Sequence, residues 1–401
     1  MIKQAIILVG GKGTRLGDLT KATPKPLLEV ESGIKFLDVV IENFARFGFN
    51  DIILLAGFCG EQIAEAYKGK NIHGAKIRVI IEPEPQGTGG ALLFAREFLD
   101  NWFVVANGDS IFDFNLREFA KDPSDDFIAR LALRQVPDPA RYGAVTIEGD
   151  KITAFLEKDP SLQGPALING GIYLLSRNVL DLIDGPCSIE ANIFPKLVEM
   201  EKIEGQEYNG YFLDMGLPDS YAQSQREIPV WRKKPCLFLD RDGVINVDKG
   251  YTYKPEDLSF IDGIENGIMA ANEAGYYVIV VTNQAGVARG YYTLKDTDTF
   301  HAEIQERLAS IGAHIDAFYS CPYHKDGIIP EYTIDNHPDR KPNQGMLLKA
   351  FDDWSINKEN SFLIGDKDHD ITAAERAGIK GILFKGQNLE QLIKENLNAK
   401  P

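Results

Sequence analysis

Cysteine is scarce in this chain, and long apolar runs are absent. The four cysteines among 401 residues stand far apart and form no paired framework, so we expect reduced thiols and no disulfide scaffold. No apolar run approaches the length that spans a bilayer. Met1 leads directly into a strand-like run, with no basic segment and long apolar stretch before it, so no signal peptide is expected. These absences together predict a cytoplasmic protein.

Basic residues are also fewer than acidic residues. The net charge is −16 at pH 7, which predicts no nucleic-acid partner and no membrane surface as a partner. Small phosphorylated substrates stay possible, because a local loop or a bound metal can hold an anion inside an acidic protein. Hydrophobic residues make up 44% and charged residues 25%, as is typical of folded globular proteins, and the length suits two domains.

The order of the apolar runs predicts the fold class. Short apolar runs alternate with amphipathic stretches, which indicates an α/β protein whose sheets are mostly parallel and flanked by helices. A polar, proline-bracketed stretch interrupts this pattern, so we predict domains at 1–225 and 235–401 with a linker at 226–234. The buried strands are predicted at Ala5–Val9, Asp51–Leu55, Ile77–Ile81, Trp102–Val105, Cys236–Leu239, Tyr277–Val281, Ala317–Tyr319, Phe362–Ile364 and Gly381–Phe384, and the first helices at Phe36–Phe47, Glu61–Tyr67 and Ala91–Phe98.

A glycine-rich loop follows the first predicted strand. It reads Gly10-Gly11-Lys12-Gly13-Thr14-Arg15-Leu16, and such glycines let backbone N–H groups approach a phosphate closely. The loop is not a Walker A loop, since Gly13 is followed by Thr14 and not by lysine, and it is not a Rossmann fingerprint, since Leu16 replaces the third glycine. Taken alone, a tight strand-to-helix turn would explain it equally well.

Further polar motifs recur along the first half of the chain. Lys25 lies between two prolines, and together with Arg15 it could hold a triphosphate and its pyrophosphate leaving group. Gln86 opens a second glycine turn, and its amide could read a base edge. Asp109 follows a predicted strand, at the carboxyl end where α/β sheets bind ligands. The remaining motifs are Glu157-Lys158, Asn169-Gly170-Gly171 and Asp214.

In this order, the motifs over residues 1–225 resemble the sugar-1-phosphate nucleotidyltransferases. The resemblance implies that a sugar phosphate attacks the α-phosphorus of a nucleoside triphosphate with Mg²⁺ present, releasing pyrophosphate, and that Arg15 and Lys25 stabilise the charge. Asp109 could instead simply cap a helix, and the side chains of Glu157 and Asn169 could simply form hydrogen bonds within turns. The implied nucleotide-binding residues are Gly10, Gly11, Gly13, Thr14, Arg15, Lys25, Gln86, Gly87 and Asp109, the sugar-phosphate residues are Glu157, Lys158, Asn169 and Gly170, and the Mg²⁺ ligands are Asp109 and Asp214.

Carboxylates also follow the strands of the second half. Asp240 and Asp242 flank Arg241 on the turn that leaves a predicted strand, so both can point into one pocket. One carboxylate can attack phosphorus while the other protonates the leaving oxygen. Other strand ends carry Thr282-Asn283 and Asp366-Lys367-Asp368, and such a carboxylate cluster suits Mg²⁺.

This second set of motifs, over residues 235–390, is similar to that of the haloacid dehalogenase-like phosphatases. The resemblance implies Asp240 as the nucleophile that forms an aspartyl phosphate, and Asp242 as the acid and base. It further implies Mg²⁺ bound by Asp240, the Asp242 carbonyl and Asp366. The transferred phosphoryl group would be held by Thr282, Asn283, Arg340 and Lys341. Within that family the motifs resemble heptose-bisphosphate phosphatases and their histidinol-phosphatase relatives, and no large cap domain fits between them.

One loop departs from that subfamily, whose members usually carry a structural zinc held by Cys-x-His and Cys-x-Cys. Tyr323 stands here where the histidine is expected, and His337 and Asp339 stand where the cysteines are expected. Cys321, His324, His337 and Asp339 could still form an unusual zinc site. A hard carboxylate and the altered spacing weaken such a site, so we expect the loop to be free of zinc.

The pairing of the two halves suggests one pathway. The first half resembles D-glycero-α-D-manno-heptose-1-phosphate guanylyltransferases, and the base, guanine, follows from that resemblance alone. The implied enzyme removes the 7-phosphate of D-glycero-D-manno-heptose 1,7-bisphosphate and then transfers GMP from GTP to heptose 1-phosphate. The alternatives are a nucleotidyltransferase for mannose or another hexose 1-phosphate fused to a histidinol-phosphate-like phosphatase, and a non-catalytic binding module, which the intact carboxylates disfavour. The oligomeric state stays open, a homo-oligomer included.

Overall fold

The computed structural model describes residues 1–137, 144–156 and 164–397. The chain divides into two compact units, Ile2–Pro229 and Val230–Pro401. The stretch at 226–234, expected as a linker, is helical up to Arg232. Its arginine and glutamate residues have good helix propensity, which explains why the helix that begins at Pro218 continues into this stretch.

Strands of the first unit form one large sheet, a pair and a hairpin. The strands are β1 Gln4–Leu8, β2 Glu29–Glu31, β3 Ile34–Lys35, β4 Asp51–Ala56, β5 Asn71–Ile72, β6 Ala75–Ile81, β7 Trp102–Asn107, β8 Ser110–Phe112, β9 Ala129–Val136, β10 Ala144–Glu148, β11 Lys151–Leu156, β12 Ala166–Ser176, β13 Ile203–Glu207 and β14 Phe212–Asp214. The α-helices are α1 Phe36–Arg46, α2 Gly60–Tyr67, α3 Gly87–Gly90, α4 Leu116–Phe119, α5 Phe194–Glu199 and α6 Pro218–Arg232. Single-turn and 3₁₀ segments lie at Thr14–Thr20, Lys25–Leu27, Ala91–Phe98 and Arg177–Leu182, and a π-helical turn at Ile189–Ile193.

The large sheet of the first unit is mixed. Among the described residues its strand order is β10-β11-β13-β9-β12-β7-β1-β4-β6-β5. The strands β7, β1, β4 and β6 are parallel, as the alternating sequence pattern predicts, because helical segments connect them. Elsewhere β12 runs antiparallel to both β7 and β9, and β10 forms a hairpin with β11. The expectation of a mostly parallel sheet therefore holds for the half of the sheet that carries the glycine loop.

The second unit is an all-parallel sheet with helices. Its strands are β15 Cys236–Leu239, β16 Tyr277–Asn283, β17 Ala317–Cys321, β18 Phe362–Gly365 and β19 Lys380–Leu383, in the order β17-β16-β15-β18-β19. Its α-helices are α7 Ile264–Glu273, α8 Ala285–Ala288, α9 Leu294–Ala309, α10 Gly345–Asp353, α11 Asp368–Ala377 and α12 Leu389–Asn396, with 3₁₀ turns at Pro255–Asp257, Pro330–Tyr332 and Lys358–Asn360. The central strand β15 is buried along its whole length, as expected for a sheet covered on both faces.

Each unit has its own apolar core around its sheet. In the first unit the core contains Ile6, Ile53, Phe103 and Tyr173, and in the second unit Leu237 belongs to a core on one face of β15. The opposite face of β15 packs a separate apolar cluster against α10 and α11. No helix within residues 1–137, 144–156 and 164–397 has both the length and the apolar character needed to cross a membrane. The carboxyl ends of the parallel strands are the edges at which polar residues collect in both units.

Candidate active sites

The glycine loop of the first unit lies against the neighbouring strand ends. The N–H of Val9 donates to the Leu55 carbonyl oxygen at 2.9 Å, which continues the β1–β4 pairing into the loop. A Cβ added to Gly10 would lie 2.8 Å from Oε1 of Glu82, so only glycine fits there without displacing that side chain. Gly13 has a φ of 61°, a conformation that favours glycine, and its carbonyl oxygen accepts from Thr20 Oγ1 at 2.9 Å.

The loop forms one wall of a cavity of about 540 Å³ at the carboxyl edge of the sheet. Leu8, Leu55, Pro85 and Ala91 contribute apolar surface to the lining. Charged side chains belong to the same lining. The lining residues are Leu8, Val9, Gly10, Gly11, Lys12, Gly13, Thr14, Arg15, Lys25, Pro26, Leu55, Glu82, Pro85, Gly87, Thr88, Ala91, Asn107, Asp109, Glu190, Asp214 and Gly216.

Lys25 and the two predicted metal-binding aspartates meet in this cavity. Lys25 is buried, and its Nζ donates to Oδ2 of Asp109 at 2.7 Å. Asp214 lies on β14, which pairs with β8 so that Asp214 is opposite Ser110, the residue after Asp109. The N–H of Met215 donates to the Asp109 carbonyl oxygen at 2.9 Å. Asp109, just before β8, and Asp214, on the paired strand β14, lie beside a lysine, and such a donor set fits a hard divalent cation.

The predicted sugar-phosphate residues are only partly in this cavity. Asn169 Nδ2 donates to the Tyr173 hydroxyl at 3.0 Å and to Glu190 Oε1 at 3.3 Å, and Glu190 lines the cavity while Asn169 does not. Gly170 lies against the ring of Phe112, where a Cβ would come within 2.5 Å of a ring carbon. Asn169 therefore positions Glu190 at the cavity edge. Glu157 and Lys158 lie outside the described residues.

Glu82 is a cavity residue that the motif analysis missed. It directly follows β6, and its Oε2 accepts from the Gln86 N–H at 3.2 Å. Burial raises the pKa of the Glu82 carboxyl, an effect that the bond from Gln86 offsets in part. Gln86 itself, predicted to contact a base, does not line the cavity, whereas Gly87 does. The rule that strand ends carry functional groups could have found Glu82, since it follows the predicted strand Ile77–Ile81.

In the second unit, Asp240 pairs with a buried lysine. The Nζ of Lys341 lies 2.9 Å from Oδ1 of Asp240 and 2.7 Å from Oδ1 of Asp370, and it donates to the Val281 carbonyl oxygen at 2.8 Å. Burial raises the pKa of the Asp240 carboxyl even though Lys341 acts to lower it. Burial alone would lower the pKa of Lys341, but Asp240 and Asp370 outweigh it and raise that pKa. The lysine therefore stays charged between two carboxylates.

Asp242 is held by three side-chain donors. Arg241 is completely buried. Its Nη2 atom donates to Oδ2 of Asp242 at 2.7 Å and to Oδ1 at 2.9 Å. Asn246 Nδ2 donates to Oδ1 and Gln284 Nε2 to Oδ2, each at 3.0 Å. The Tyr292 hydroxyl in turn donates to Gln284 Oε1 at 2.7 Å. This network fixes the orientation of the predicted acid and base.

A divalent cation would fit beside Asp240. Gly243 has a φ of 88°, and a Cβ added there would lie 2.5 Å from Oδ2 of Asp366, so the turn after Asp242 approaches that carboxylate closely. Oδ1 of Asp366 is buried and has no hydrogen-bond partner, a condition that an absent cation would explain. Within the described part of the chain, Asp240, His369 and Asp370 also place ligand atoms within 4.8 Å of one another. Buried carboxylate oxygens are suitable ligands for Mg²⁺.

The predicted phosphoryl-binding residues fall into two groups. Thr282 is buried beside the reaction centre, where its Oγ1 accepts from Gln284 Nε2 at 2.8 Å. Asn283, by contrast, exchanges two hydrogen bonds of 3.1 Å with the backbone of Lys341. These two bonds help to position Lys341. Arg340 donates from Nη1 to the Tyr323 carbonyl oxygen at 3.1 Å.

The loop at 321–339, where an unusual zinc site was considered, is held by other contacts. The rings of Tyr323 and His337 stack with centroids 3.7 Å apart, and Asp339 forms an ion pair with Lys349. Nδ1 of His337 accepts the Asp339 N–H at 3.1 Å, so one ring nitrogen is occupied. Burial raises the pKa of the Cys321 thiol to about 11. These residues do not fit a structural zinc site, and within the described residues they form no three-ligand group.

Comparisons with known proteins cover both units. The family described as nucleotidyl transferase matches residues 4–229, and the HAD-hydrolase-like family matches residues 339–398. The D-glycero-alpha-D-manno-heptose 1-phosphate guanylyltransferase of Aneurinibacillus thermoaerophilus is 34% identical over 229 residues, which are 56% of this chain and 98% of that protein. The D-glycero-beta-D-manno-heptose-1,7-bisphosphate 7-phosphatase of Rhodopseudomonas palustris is 39% identical over 165 residues, which are 41% of this chain and 91% of that protein.

A solved structure resembles the first unit. It is HddC from Yersinia pseudotuberculosis complexed with GMP-PN, with a TM-score of 0.50 and 29% sequence identity. The match covers 57% of this chain and all of that one. The relatives thus divide along the chain as the two carboxylate clusters do.

Proposed function

Since the chain belongs to the nucleotidyl transferase family through its first unit and to the HAD-like phosphatases through its second, we propose that it catalyses two consecutive steps on one sugar. The second unit removes the 7-phosphate of D-glycero-D-manno-heptose 1,7-bisphosphate. The first unit then transfers GMP from GTP to heptose 1-phosphate, giving GDP-heptose and pyrophosphate. The observation that carries this proposal is that relatives of both units are named for the same heptose phosphates. The need for GTP supports a cytoplasmic location.

The phosphatase step uses the buried carboxylates. Asp240 attacks the 7-phosphorus and forms an aspartyl phosphate, while the sugar oxygen leaves with a proton donated by Asp242. Asp242 then takes a proton from water, which attacks the aspartyl phosphate and releases inorganic phosphate. Lys341, which lies 2.9 Å from Asp240, stabilises the charge on the transferred group. Both families generally depend on a divalent metal, and we propose Mg²⁺ held by Asp240, the Asp242 carbonyl and Asp366, with the Asp370 carboxylate close to Asp240. The ion would neutralise charge on phosphorus oxygens.

The transferase step needs positioning and charge stabilisation and no covalent intermediate. The sugar phosphate oxygen attacks the α-phosphorus of GTP in line with the departing pyrophosphate. The glycine-loop N–H groups, Arg15 and Lys25 hold the phosphates, because they line the same cavity. Asp109 and Asp214 would hold Mg²⁺ at the same cavity wall.

Glu82 gives a physical reason for guanine. The guanine edge carries two adjacent donors, N1–H and the N2 amino group, and a carboxylate is an acceptor-only group that can bind both. Adenine, cytosine, uracil and thymine do not offer two adjacent donors. Glu82 lines the cavity together with the apolar residues Leu8, Leu55 and Pro85, which are available to pack against a planar base. A carboxylate would repel a phosphate, so we assign Glu82 to the base.

Replacing Glu82 with glutamine should therefore weaken the preference for GTP. We expect kcat/KM for GTP to fall about 10²-fold, because a polar pair made in the wild type is lost, while UTP and dTTP gain relative to GTP. The measurement is nucleotide-sugar formation from heptose 1-phosphate with each triphosphate supplied separately. Glu84→Gln is the matched control, since Glu84 is exposed and does not line the cavity. An E82Q enzyme with unchanged GTP preference would contradict the assignment.

The whole proposal is tested by one incubation. Purified protein receives Mg²⁺ and the heptose 1,7-bisphosphate, with GTP, ATP, CTP, UTP and dTTP in separate samples, and phosphate, pyrophosphate and nucleotide sugar are followed by mass spectrometry. We expect phosphate in every sample and GDP-heptose with GTP alone. Absence of phosphate release would overturn the shared pathway. Phosphate release without any nucleotide sugar would leave the phosphatase assignment and reject the transferase substrate.

The loop at 321–339 should function without zinc. We expect phosphatase activity with Mg²⁺ to survive treatment with a zinc-selective chelator, because aromatic stacking and the Asp339–Lys349 ion pair hold the loop in place of a metal. Elemental analysis of the purified protein, together with phosphate release before and after chelation, checks this. Stoichiometric zinc, or activity that only added zinc restores, would show the expectation to be wrong.

A further inference from the structure

The guanidinium group of Arg241 has a partner at each of its three nitrogen atoms. Its Nε atom donates to Oδ1 of Asp242 at 3.1 Å, and its Nη2 atom donates to both oxygens of that carboxylate. Nη2 also donates to the Thr252 carbonyl oxygen at 2.7 Å, and the guanidinium carbon lies 4.8 Å from the ring centre of Phe300. Nη1, which points away from Asp242, lies 3.5 Å from Nε2 of His301. The contact with Asp242 is therefore one part of a larger set around a buried cation.

His301 is an acceptor in this set. A guanidinium group carries donors only, so Nε2 of the imidazole offers its lone pair and the ring proton lies on Nδ1. Burial and the charge of Arg241 lower the pKa of His301 to about 3, so the ring is neutral at physiological pH. His301 is only 6% exposed, and its ring stacks on that of Phe318 with centroids 4.3 Å apart. The structure thus holds a neutral acceptor in a fixed orientation beside Arg241.

Arg241 needs contacts of this kind to keep one orientation. An arginine side chain has several rotatable bonds, and fixing all of them costs conformational entropy that other contacts must offset. Phe300 and His301 are consecutive residues of α9, so one helix supplies both the ring face and the acceptor to the same guanidinium group. A planar guanidinium group that binds a carboxylate through two hydrogen bonds fixes the geometry of the pair. The helix therefore helps to set the position of the Asp242 carboxylate through Arg241.

We propose that His301 is a positioning residue of the phosphatase site, which holds Arg241 so that the Asp242 carboxyl group meets the leaving oxygen and later the attacking water. This inference rests on the proposed function, in which Asp242 gives a proton to the departing sugar oxygen and then takes one from water. His301 acts through Arg241. Without its acceptor, Nη1 becomes a buried charged donor without a partner, and the guanidinium group shifts towards other acceptors.

The test separates the two steps of the reaction through the leaving group. p-Nitrophenyl phosphate releases a stable phenolate that needs no proton from Asp242, whereas a sugar oxygen needs one. In His301→Phe, which keeps a ring but loses the acceptor, kcat for heptose 1,7-bisphosphate should fall about 10-fold. With p-nitrophenyl phosphate, the same variant should release nitrophenolate in a first turnover at the wild-type rate, because Asp240 attacks without help from Asp242. The following steady rate should be lower than that of the wild type, because attack by water still needs Asp242 as a base.

His301→Gln supplies the rescue. Its amide oxygen can take the place of the Nε2 acceptor, so it should recover most of the kcat that His301→Phe loses with the bisphosphate. Thr299→Val is the matched control, because it removes a side-chain hydrogen bond from an exposed position of the same helix. It should leave turnover of both substrates unaffected. The melting temperature of each variant is recorded with the rates.

Three results would overturn the proposal. The first is a folded His301→Phe protein with wild-type kcat for the bisphosphate. The second is a first turnover of p-nitrophenyl phosphate that is slowed as much as the steady rate, which indicates general damage to the site. The third is a His301→Gln protein no faster than His301→Phe at equal melting temperature, and this comparison decides alone if the wild type cleaves the bisphosphate but not the nitrophenyl ester. A wild type that cleaves only the nitrophenyl ester would reject the proposed function, while its first-turnover and steady rates would still test His301.

Discussion

Asp240→Asn is expected to abolish phosphate release from heptose 1,7-bisphosphate and to leave guanylyl transfer to heptose 1-phosphate unchanged. The carboxamide keeps the shape of the side chain but cannot form the aspartyl phosphate, so phosphatase kcat should fall at least about 10³-fold. The first unit has its own cavity and its own carboxylates, and Asp240 is not among them. The two activities are measured separately, with inorganic phosphate detected for one and GDP-heptose for the other.

Asp262→Asn provides the control for that variant, since Asp262 is an exposed aspartate of the same unit. It should retain both activities. Because Asp240 also contacts the buried Lys341, the variant's melting temperature should be recorded alongside the rates. Residual turnover near the wild-type level in a folded Asp240→Asn protein would reject Asp240 as the nucleophile.

The reciprocal result is expected from Asp109→Asn. Nucleotidyl transfer should fall about 10³-fold, because the change removes one of two carboxylates suited to the metal and weakens the field that orients Lys25, 2.7 Å away. Phosphate release from the bisphosphate should continue at the wild-type rate. The assay supplies heptose 1-phosphate and GTP directly, so that the result does not depend on the second unit.

The exposed Asp125 gives a matched control in the same unit, as Asp125→Asn. Raising the Mg²⁺ concentration further tests whether Asp109 is a metal ligand. If Asp109 acts as a metal ligand, high Mg²⁺ should restore part of the activity of Asp109→Asn, since a weakened site can still be filled. A variant with full transferase activity at low Mg²⁺ would show that Asp109 only caps the following segment.

Much of this arrangement follows from the sequence because parallel strands end at a common edge. The motifs at Gly10, Asp109, Asp240 and Asp366 each follow an apolar run, and chain direction alone places them at the carboxyl ends of their strands. The strand Cys236–Leu239 is found at the predicted residues, since a short, wholly apolar run bounded by proline and aspartate has one plausible structure. Local pattern and tertiary structure agree at these positions.

Contacts between distant segments could not be predicted in this way. Gln284 donates a hydrogen bond to Asp242 and accepts one from Tyr292. These bonds depend on how α8 packs against the turn after β15, and the hydrophobic periodicity of the sequence does not predict that packing. The Asn283 side chain, expected to bind phosphate, also exchanges hydrogen bonds with the backbone of Lys341, 58 residues away. The antiparallel direction of β12 could not be predicted either, because an apolar run does not show in which direction a strand runs. At such positions tertiary partners decide the contacts of a side chain.

The close approach of Gly243 to Asp366 has a consequence for how this chain can evolve. A side chain at position 243 would incur two separate penalties, the strain of an L-residue at a φ of 88° and a collision with the carboxylate. Shortening Asp366 would relieve the collision but not the strain, and it would also remove a candidate metal ligand. No single second substitution would therefore make the replacement of this glycine neutral. Among diverging copies of the protein, loss of Gly243 should accompany loss of phosphatase activity, even where Asp240 and Asp242 persist.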